Sequence, residues 1–105
     1  MLQLPDSLLE YLQGLPERYP AVERIVLFGS RSMGNAKRGS DVDLAFYGND
    51  LTTSIISRIH QELEEETMFP YFFDVVHGDG LTHLPLVEQI QDHGSQIYPS
   101  TDERS

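Results

Sequence analysis

A short apolar run that ends at a glycine constrains this chain more than any other feature of its sequence. Residues 24–28 (RIVLF) are large, apolar or β-branched after the first, and Gly29 follows them directly. Such a run, bounded by a turn residue, is typical of a buried strand. Ser30 comes next and suits the cap of a short helix that ends near Gly34. The sequence therefore predicts a buried strand that leads through a glycine turn into the start of a helix.

The backbone at this turn is suited to binding an anion. The first N–H groups of a helix have no partner within it, and they carry the positive end of the helix dipole. A phosphate fits there, because Gly29 lets it come close to the backbone and the Ser30 hydroxyl can donate a further hydrogen bond. These two residues alone leave a simpler interpretation open, in which a turn glycine precedes an ordinary capping serine.

Two acids follow ten residues after the serine, in the segment 40–44 (SDVDL). Positions two apart on a strand point to the same side, with their backbones about 6.5–7 Å apart. We therefore expect Asp41 and Asp43 to aim at one patch, whereas Val42 and Leu44 face the core. Neighbouring like charges are costly unless a cation neutralises them, and oxygen ligands suit Mg²⁺ or Mn²⁺. A solvated strand start with two incidental acids is the alternative.

A third acid, Asp74, lies in the run YFFDVVH. Its neighbours Phe72, Phe73, Val75 and Val76 predict a buried strand, in which an ionised carboxylate is expensive without a partner. A metal ion shared with the other two acids would be such a partner, and a salt bridge to an arginine is the competing explanation.

The remaining periodicities complete an α/β pattern. They predict helices over 6–13, 52–65 and 85–93 and further strands over 41–46 and 71–76. The expected fold is a single small domain, residues 1–98, with a mixed three-stranded sheet, room for one more short strand, and about four flanking helices. Residues 99–105 are predicted to be a polar tail. The acidic run at 62–66 is expected to be the solvated end of a helix.

Composition narrows the classes of function. The chain has 105 residues, 17 acidic against 7 basic ones, and a formal net charge of −10, which argues against direct nucleic-acid binding. An acidic surface can instead steer a basic protein partner, or it can simply keep the protein soluble. Cysteine is absent, no apolar run reaches membrane-spanning length, and no secretory signal opens the chain. We therefore expect a cytoplasmic location.

The combined pattern resembles a known family. Gly29-Ser30, ten residues and then Asp41-x-Asp43 looks like the signature of the DNA polymerase beta-like nucleotidyltransferases. Its compact form, GSRSMG followed by GSDVDL, is similar to the minimal nucleotidyltransferases, the MNT antitoxins that are paired with HEPN toxins. Asp74 falls where that family has its third carboxylate.

The resemblance implies a role for each residue of the motif. Gly29 and Ser30, with Arg31 and Ser40, would bind the nucleotide. Asp41, Asp43 and Asp74 would be the catalytic acids and hold Mg²⁺ or Mn²⁺, and Asp74 would orient or deprotonate the attacking hydroxyl.

The resemblance also implies an activity and a partner. The expected reaction transfers AMP from ATP to a cognate HEPN toxin, in a hetero-oligomer, and so silences the toxin. Two alternatives stay open. An antitoxin could neutralise its partner by stoichiometric binding alone, or the nucleotide could go to a small molecule. The short chain argues against the second, because we expect no further domain to build a substrate pocket.

Overall fold

The computed structural model describes residues 4–29 and 41–100. Within these ranges the chain forms three α-helices and four strands, in the order α1 (Asp6–Arg18), β1 (Arg24–Phe28), β2 (Val42–Tyr47), α2 (Thr53–Gln61), β3 (Phe73–His77), α3 (Leu84–His93) and β4 (Ser95–Tyr98). A π-helical turn, Glu62–Glu66, continues α2, and a 3₁₀ turn, Gly78–Gly80, follows β3. The short helix predicted from Ser30 lies outside the described residues.

The four strands form one mixed sheet in the order β3-β2-β1-β4. The strand β2 runs parallel to β3 and antiparallel to β1, which in turn pairs antiparallel with β4. The predicted α/β class and mixed sheet are confirmed, and β4 is the further short strand for which the sequence left room. The described part contains three helices, whereas about four were expected over the whole chain.

The two faces of the sheet are covered unequally. One face packs against α1 and α2 in the larger core, whose fully buried members include Leu8, Leu12, Leu15, Ile25, Leu27, Val42, Leu44, Phe46 and Ile59. The opposite face carries a smaller cluster of Val26, Phe28, Ala45 and Ile90, the last from α3. Alternate residues of β1 and β2 therefore serve different faces, as a period of two requires. Asp43, one of the predicted catalytic acids, alternates with Val42 and Leu44 and therefore lies on the less covered face.

The first helix is longer than predicted. We expected it to end near residue 13 with Pro16 in the following loop, but α1 continues through Pro16 to Arg18. A proline inside a helix removes the hydrogen bond that its own N–H would donate, and its ring crowds the carbonyl four residues earlier. Leu15 is fully buried, and its carbonyl still accepts a bond from the N–H of Tyr19 at 2.9 Å. Packing therefore outweighs the local propensity at this point.

Glu62 contradicts the expectation that the acidic run is a solvated helix end. The residue is only 9% exposed. Tyr11 and Arg18 donate to its Oε2, and Tyr19 donates to its Oε1 at 2.8 Å. Burial alone would raise the pKa of the Glu62 carboxyl, but the hydrogen bonds and the arginine charge outweigh burial and hold that pKa below its ordinary value. Glu62 thus ties α1 to the end of α2.

No helix in the described part of the chain is long and apolar enough to cross a lipid bilayer.

Candidate active site

Asp43 lies on the open face of the sheet, as the alternation of β2 predicts. Its neighbours Val42 and Leu44 are fully buried in the larger core on the other face. Asp43 itself is half-buried. The prediction that these two apolar residues turn inward and the acid turns away from them is confirmed.

The sheet brings Asp43 and Asp74 side by side. In the parallel pairing of β2 with β3, Asp43 is the register partner of Asp74. Neighbouring strands lie roughly 4.8 Å apart, and registered residues point to the same face. Two acids that are far apart in the sequence therefore become neighbours on one surface.

Gly29 lies on the other side of Asp43, at the end of β1. The strand β1 ends at Phe28, which is the antiparallel partner of Asp43, and the glycine follows with φ of 79°. Residues with a side chain rarely adopt this left-handed conformation. A Cβ at Gly29 would also overlap Asp43 Oδ2 and lie 3.2 Å from its Cγ. The turn backbone therefore touches the carboxylate, and only glycine permits that approach.

Asp74 differs from expectation in its burial. We predicted an acid within a buried strand, flanked by Phe72 and Phe73. The structure buries Phe73, but Asp74 and Phe72 are exposed, the latter to 73%. The strand β3 lies at the edge of the sheet and begins at Phe73, two residues later than predicted. Desolvation therefore does not force a partner onto Asp74, and its case rests on its position beside Asp43.

Asp41 lies just before β2 and is exposed. Within residues 4–29 and 41–100, no group of three or more histidine, aspartate or glutamate side chains is close enough together to hold a metal ion. The adjacent pair Asp43 and Asp74 nevertheless fits a divalent cation in kind, because carboxylate oxygens are the ligands that Mg²⁺ and Mn²⁺ prefer. Asp41 lies two residues before Asp43 and is the carboxylate nearest to it in the sequence.

Three further predicted site residues, Ser30, Arg31 and Ser40, lie outside the described residues, and their roles stay predictions. The sequence did not reveal which groups position Asp74. Glu64 Oε2 accepts the N–H of Phe73 at 2.8 Å, and a ring nitrogen of His60 lies 2.7 Å from the Phe73 carbonyl oxygen. The spacing of four between these two polar residues on the end of a helix was the available signal.

Comparison with known proteins decides the family. The family model described as "Polymerase beta, Nucleotidyltransferase" matches residues 10–103, which is most of the chain and includes all the predicted site residues. The chain belongs to this nucleotidyltransferase family. The resemblance stated from the sequence motif is therefore confirmed. No curated protein matches the sequence.

Solved structures similar to this nucleotidyltransferase domain include toxin–antitoxin complexes. One is a toxin–antitoxin with AMP-PNP, at 26% identity and a TM-score of 0.71, covering 88% of this chain and 73% of the other. A mutant of the toxin–antitoxin MntA-HpeT gives 23% identity and a TM-score of 0.72, covering 93% and 76%. A tri-AMPylated Shewanella oneidensis HEPN toxin in complex with its MNT antitoxin gives 22% identity and a TM-score of 0.66, covering 91% and 74%. The last two establish the shared fold alone.

Proposed function

We propose that this chain is a metal-dependent nucleotidyltransferase that transfers AMP from ATP to a hydroxyl group of a cognate HEPN toxin, and so acts as an antitoxin. The observation that carries the proposal is the register pairing of Asp43 with Asp74 beside the Gly29 turn. Membership of the nucleotidyltransferase family supports the reaction class. The AMP-PNP complex and the AMPylated toxin among the similar structures support the nucleotide and the acceptor.

The proposed reaction is an attack on the α-phosphate of ATP. The acceptor hydroxyl oxygen attacks the α-phosphorus of ATP, a new phosphorus–oxygen bond forms, and the bond to the departing pyrophosphate breaks. Asp74, exposed at the sheet edge, would accept or orient the hydroxyl proton. Gly29, with Ser30, Arg31 and Ser40, would hold the triphosphate through backbone and side-chain donors.

Asp43 and Asp74 would hold the Mg²⁺ or Mn²⁺ ions, and Asp41, which the structure does not group with them, would join them as the third carboxylate of the motif. A bound divalent cation supplies neutralisation of the phosphate charge that builds up during transfer. Placing the reactants in line is the other large contribution that such a site makes. The pair of adjacent carboxylates suits the binding of such a cation, because it concentrates negative charge at one point of the sheet.

The test compares wild type with Asp43→Asn, which keeps the shape of the side chain and removes its charge. Each protein is incubated with the co-purified HEPN toxin, ATP and Mg²⁺, and both partners are then weighed by mass spectrometry. We expect wild type to add adenylate to the toxin and suppress its ribonuclease activity. The mutant should bind the toxin but leave it unmodified and active.

The matched control is Asp50→Asn, an exposed aspartate in the loop after β2. It should modify the toxin as wild type does. If Asp43→Asn silenced the toxin as well as wild type, with no mass change in either case, the enzyme proposal would fall. A stoichiometric antitoxin would then replace it.

A further inference from the structure

The segment between the π-helical turn and β3 alternates between partly buried and exposed side chains. Phe69 and Tyr71 are partly buried against the larger core. The ring of Phe69 meets that of Tyr11 at a centroid distance of 5.9 Å, and the ring of Tyr71 meets that of Phe73 at 6.4 Å. The segment is therefore anchored to the domain by aromatic packing.

The exposed members of the same alternation are apolar. Met68 is 98% exposed, Phe72 is 73% exposed, and Pro70 between them is exposed too. We call Met68, Pro70 and Phe72 the apolar stripe. An anchored loop that turns two large apolar side chains to solvent is a frequent mark of a protein–protein contact.

The stripe leads directly into the candidate active site. The carbonyl of Phe72 accepts the N–H of Val42 at 3.0 Å, which fixes the end of the stripe to the start of β2. Asp74 follows two residues later and is exposed as well. A molecule that covers the stripe would therefore stand beside the acids that we propose for the transfer.

The start of β3 is closed to the addition of another strand. Both main-chain groups of Phe73 are occupied, its N–H by Glu64 and its carbonyl by His60. Side chains that occupy an edge strand in this way prevent backbone pairing with another chain. A partner at this point must therefore bind through side chains, and the stripe supplies them.

Charge defines the partner further. Exposed Glu65 and Glu66 precede the stripe, and exposed Asp41 and Asp74 lie at its other end. Because the chain carries a net charge of −10, a matching surface would place basic residues around an apolar side chain. An acidic or wholly polar surface would fit poorly.

We propose that the apolar stripe docks the acceptor protein, through an apolar side chain flanked by lysine or arginine and close in space to the hydroxyl that receives the nucleotide. This inference rests on the proposed function and adds to it the surface that recognises the acceptor. The stripe touches none of the reacting groups, so its contribution is to affinity for the acceptor.

The test uses Met68→Ser and Phe72→Ser, with Leu84→Ser as the matched control. Leu84 is also a large exposed apolar residue, at 67%, but it lies at the start of α3. The dissociation constant for the co-purified HEPN toxin is measured without ATP, and the KM and kcat of transfer are measured with ATP. For each stripe variant we expect the dissociation constant and KM to rise on the order of tenfold, because central apolar contacts dominate interface affinity.

The kcat at saturating toxin and the affinity for ATP should stay within about twofold of wild type, which separates docking from chemistry. Wild-type affinity in both stripe variants would overturn the inference, and so would an equal loss in Leu84→Ser. If wild type transferred no nucleotide while the stripe variants still bound the toxin weakly, the proposed reaction would fail and the docking surface would stand.

Discussion

Two acidic regions of this domain differ in how their carboxylates are satisfied. Glu62 is nearly buried and receives hydrogen bonds from Tyr11, Arg18 and Tyr19. Asp74 is exposed beside Asp43, and within the described ranges it accepts no hydrogen bond and forms no ion pair. A carboxylate whose partners all come from the fold is explained by stability. Stability does not explain a carboxylate that the fold places beside another carboxylate.

The energetics point the same way. Burial of a charge is costly unless donors surround it, and Glu62 has such donors on both oxygens. Like charges directly opposite on neighbouring strands are destabilising. The register pairing of Asp43 with Asp74 therefore brings two like charges together, and a bound cation would offset their repulsion. The comparison separates a structural acid from two acids that we assign to function.

The largest effect that we expect from a single substitution is at Gly29. Gly29→Val places a β-branched residue at φ of 79° and drives its Cβ into the Asp43 carboxylate. We expect ATP affinity to fall about 100-fold or more, equivalent to about 2.7 kcal/mol, while the helices stay folded. Isothermal titration and circular dichroism measure the two quantities.

Gly80→Val is the control for the glycine prediction. A Cβ at Gly80 meets nothing within 4 Å, and the residue lacks a positive φ. This variant should bind ATP as wild type does. Wild-type ATP affinity in a folded Gly29→Val protein would show that the turn does not hold the nucleotide, and the functional half of the comparison would lose its support.

The substitution Glu62→Gln tests the structural role of the buried acid. The amide keeps the shape but leaves the Arg18 charge without its partner and weakens the two tyrosine hydrogen bonds. Arg18 is half-exposed, so we expect a loss of about 2 kcal/mol rather than the larger cost of breaking a fully buried pair. That loss corresponds to a melting temperature lower by about 8–16 °C.

Thermal unfolding of Glu62→Gln is compared with that of Glu65→Gln, an exposed acid of the same turn. The control should stay within about 0.5 kcal/mol of wild type. Equal melting temperatures for the two variants would mean that the buried cluster contributes nothing, and the contrast between the regions would disappear.

Metal binding should distinguish the two acidic regions through a smaller change in stability. With ATP present, Mg²⁺ or Mn²⁺ at about ten times its dissociation constant should stabilise wild type by about 1.4 kcal/mol. The double variant Asp41→Asn with Asp43→Asn should lose this shift, and Glu62→Gln should keep it. A metal-dependent rise in melting temperature that survives in the double variant would remove the acids from the metal site.

The smallest expected effect is on the acid limb of stability. The pKa of Glu62 is lowered by folding, so its stabilisation is present above its ordinary value of 4.5 and is lost as the pH falls toward the folded pKa. Subtracting the Glu62→Gln curve from that of wild type isolates this contribution. The difference in unfolding free energy should be constant near neutral pH and shrink below about pH 4.5. A difference that grows as the pH falls would contradict the lowered pKa.

Much of the candidate site could be predicted because its sequence signals are local. The glycine after a buried strand, the period of two around Asp43, and an acid in a third strand each need only a few residues of sequence. The pairing that joins Asp43 to Asp74 follows once those strands are neighbours. The predicted burial of the strand around Asp74 was wrong for Asp74 itself, because the exposure of that residue depends on the edge position of β3.

The rest depends on contacts between distant segments. The partners of Glu62 lie 43 to 51 positions away, so no local pattern shows that this acid is buried. Pro16 predicts the end of a helix, and only the packing of Leu15 shows why α1 continues. The exposure of Phe72 was not predicted, because an aromatic residue beside a strand is ordinarily assigned to the core.

The most direct test of the central claim compares Asp74→Asn with Glu62→Gln in the same two measurements. One is the single-turnover rate of adenylate transfer from ATP to saturating HEPN toxin, at a temperature where both variants are folded, and the other is the melting temperature. The account predicts that Asp74→Asn melts no earlier than wild type, because the substitution removes one of two like charges, and that it loses about 100-fold or more in rate. Glu62→Gln should melt earlier and transfer within a few-fold of wild type. A wild-type transfer rate in Asp74→Asn would contradict the account.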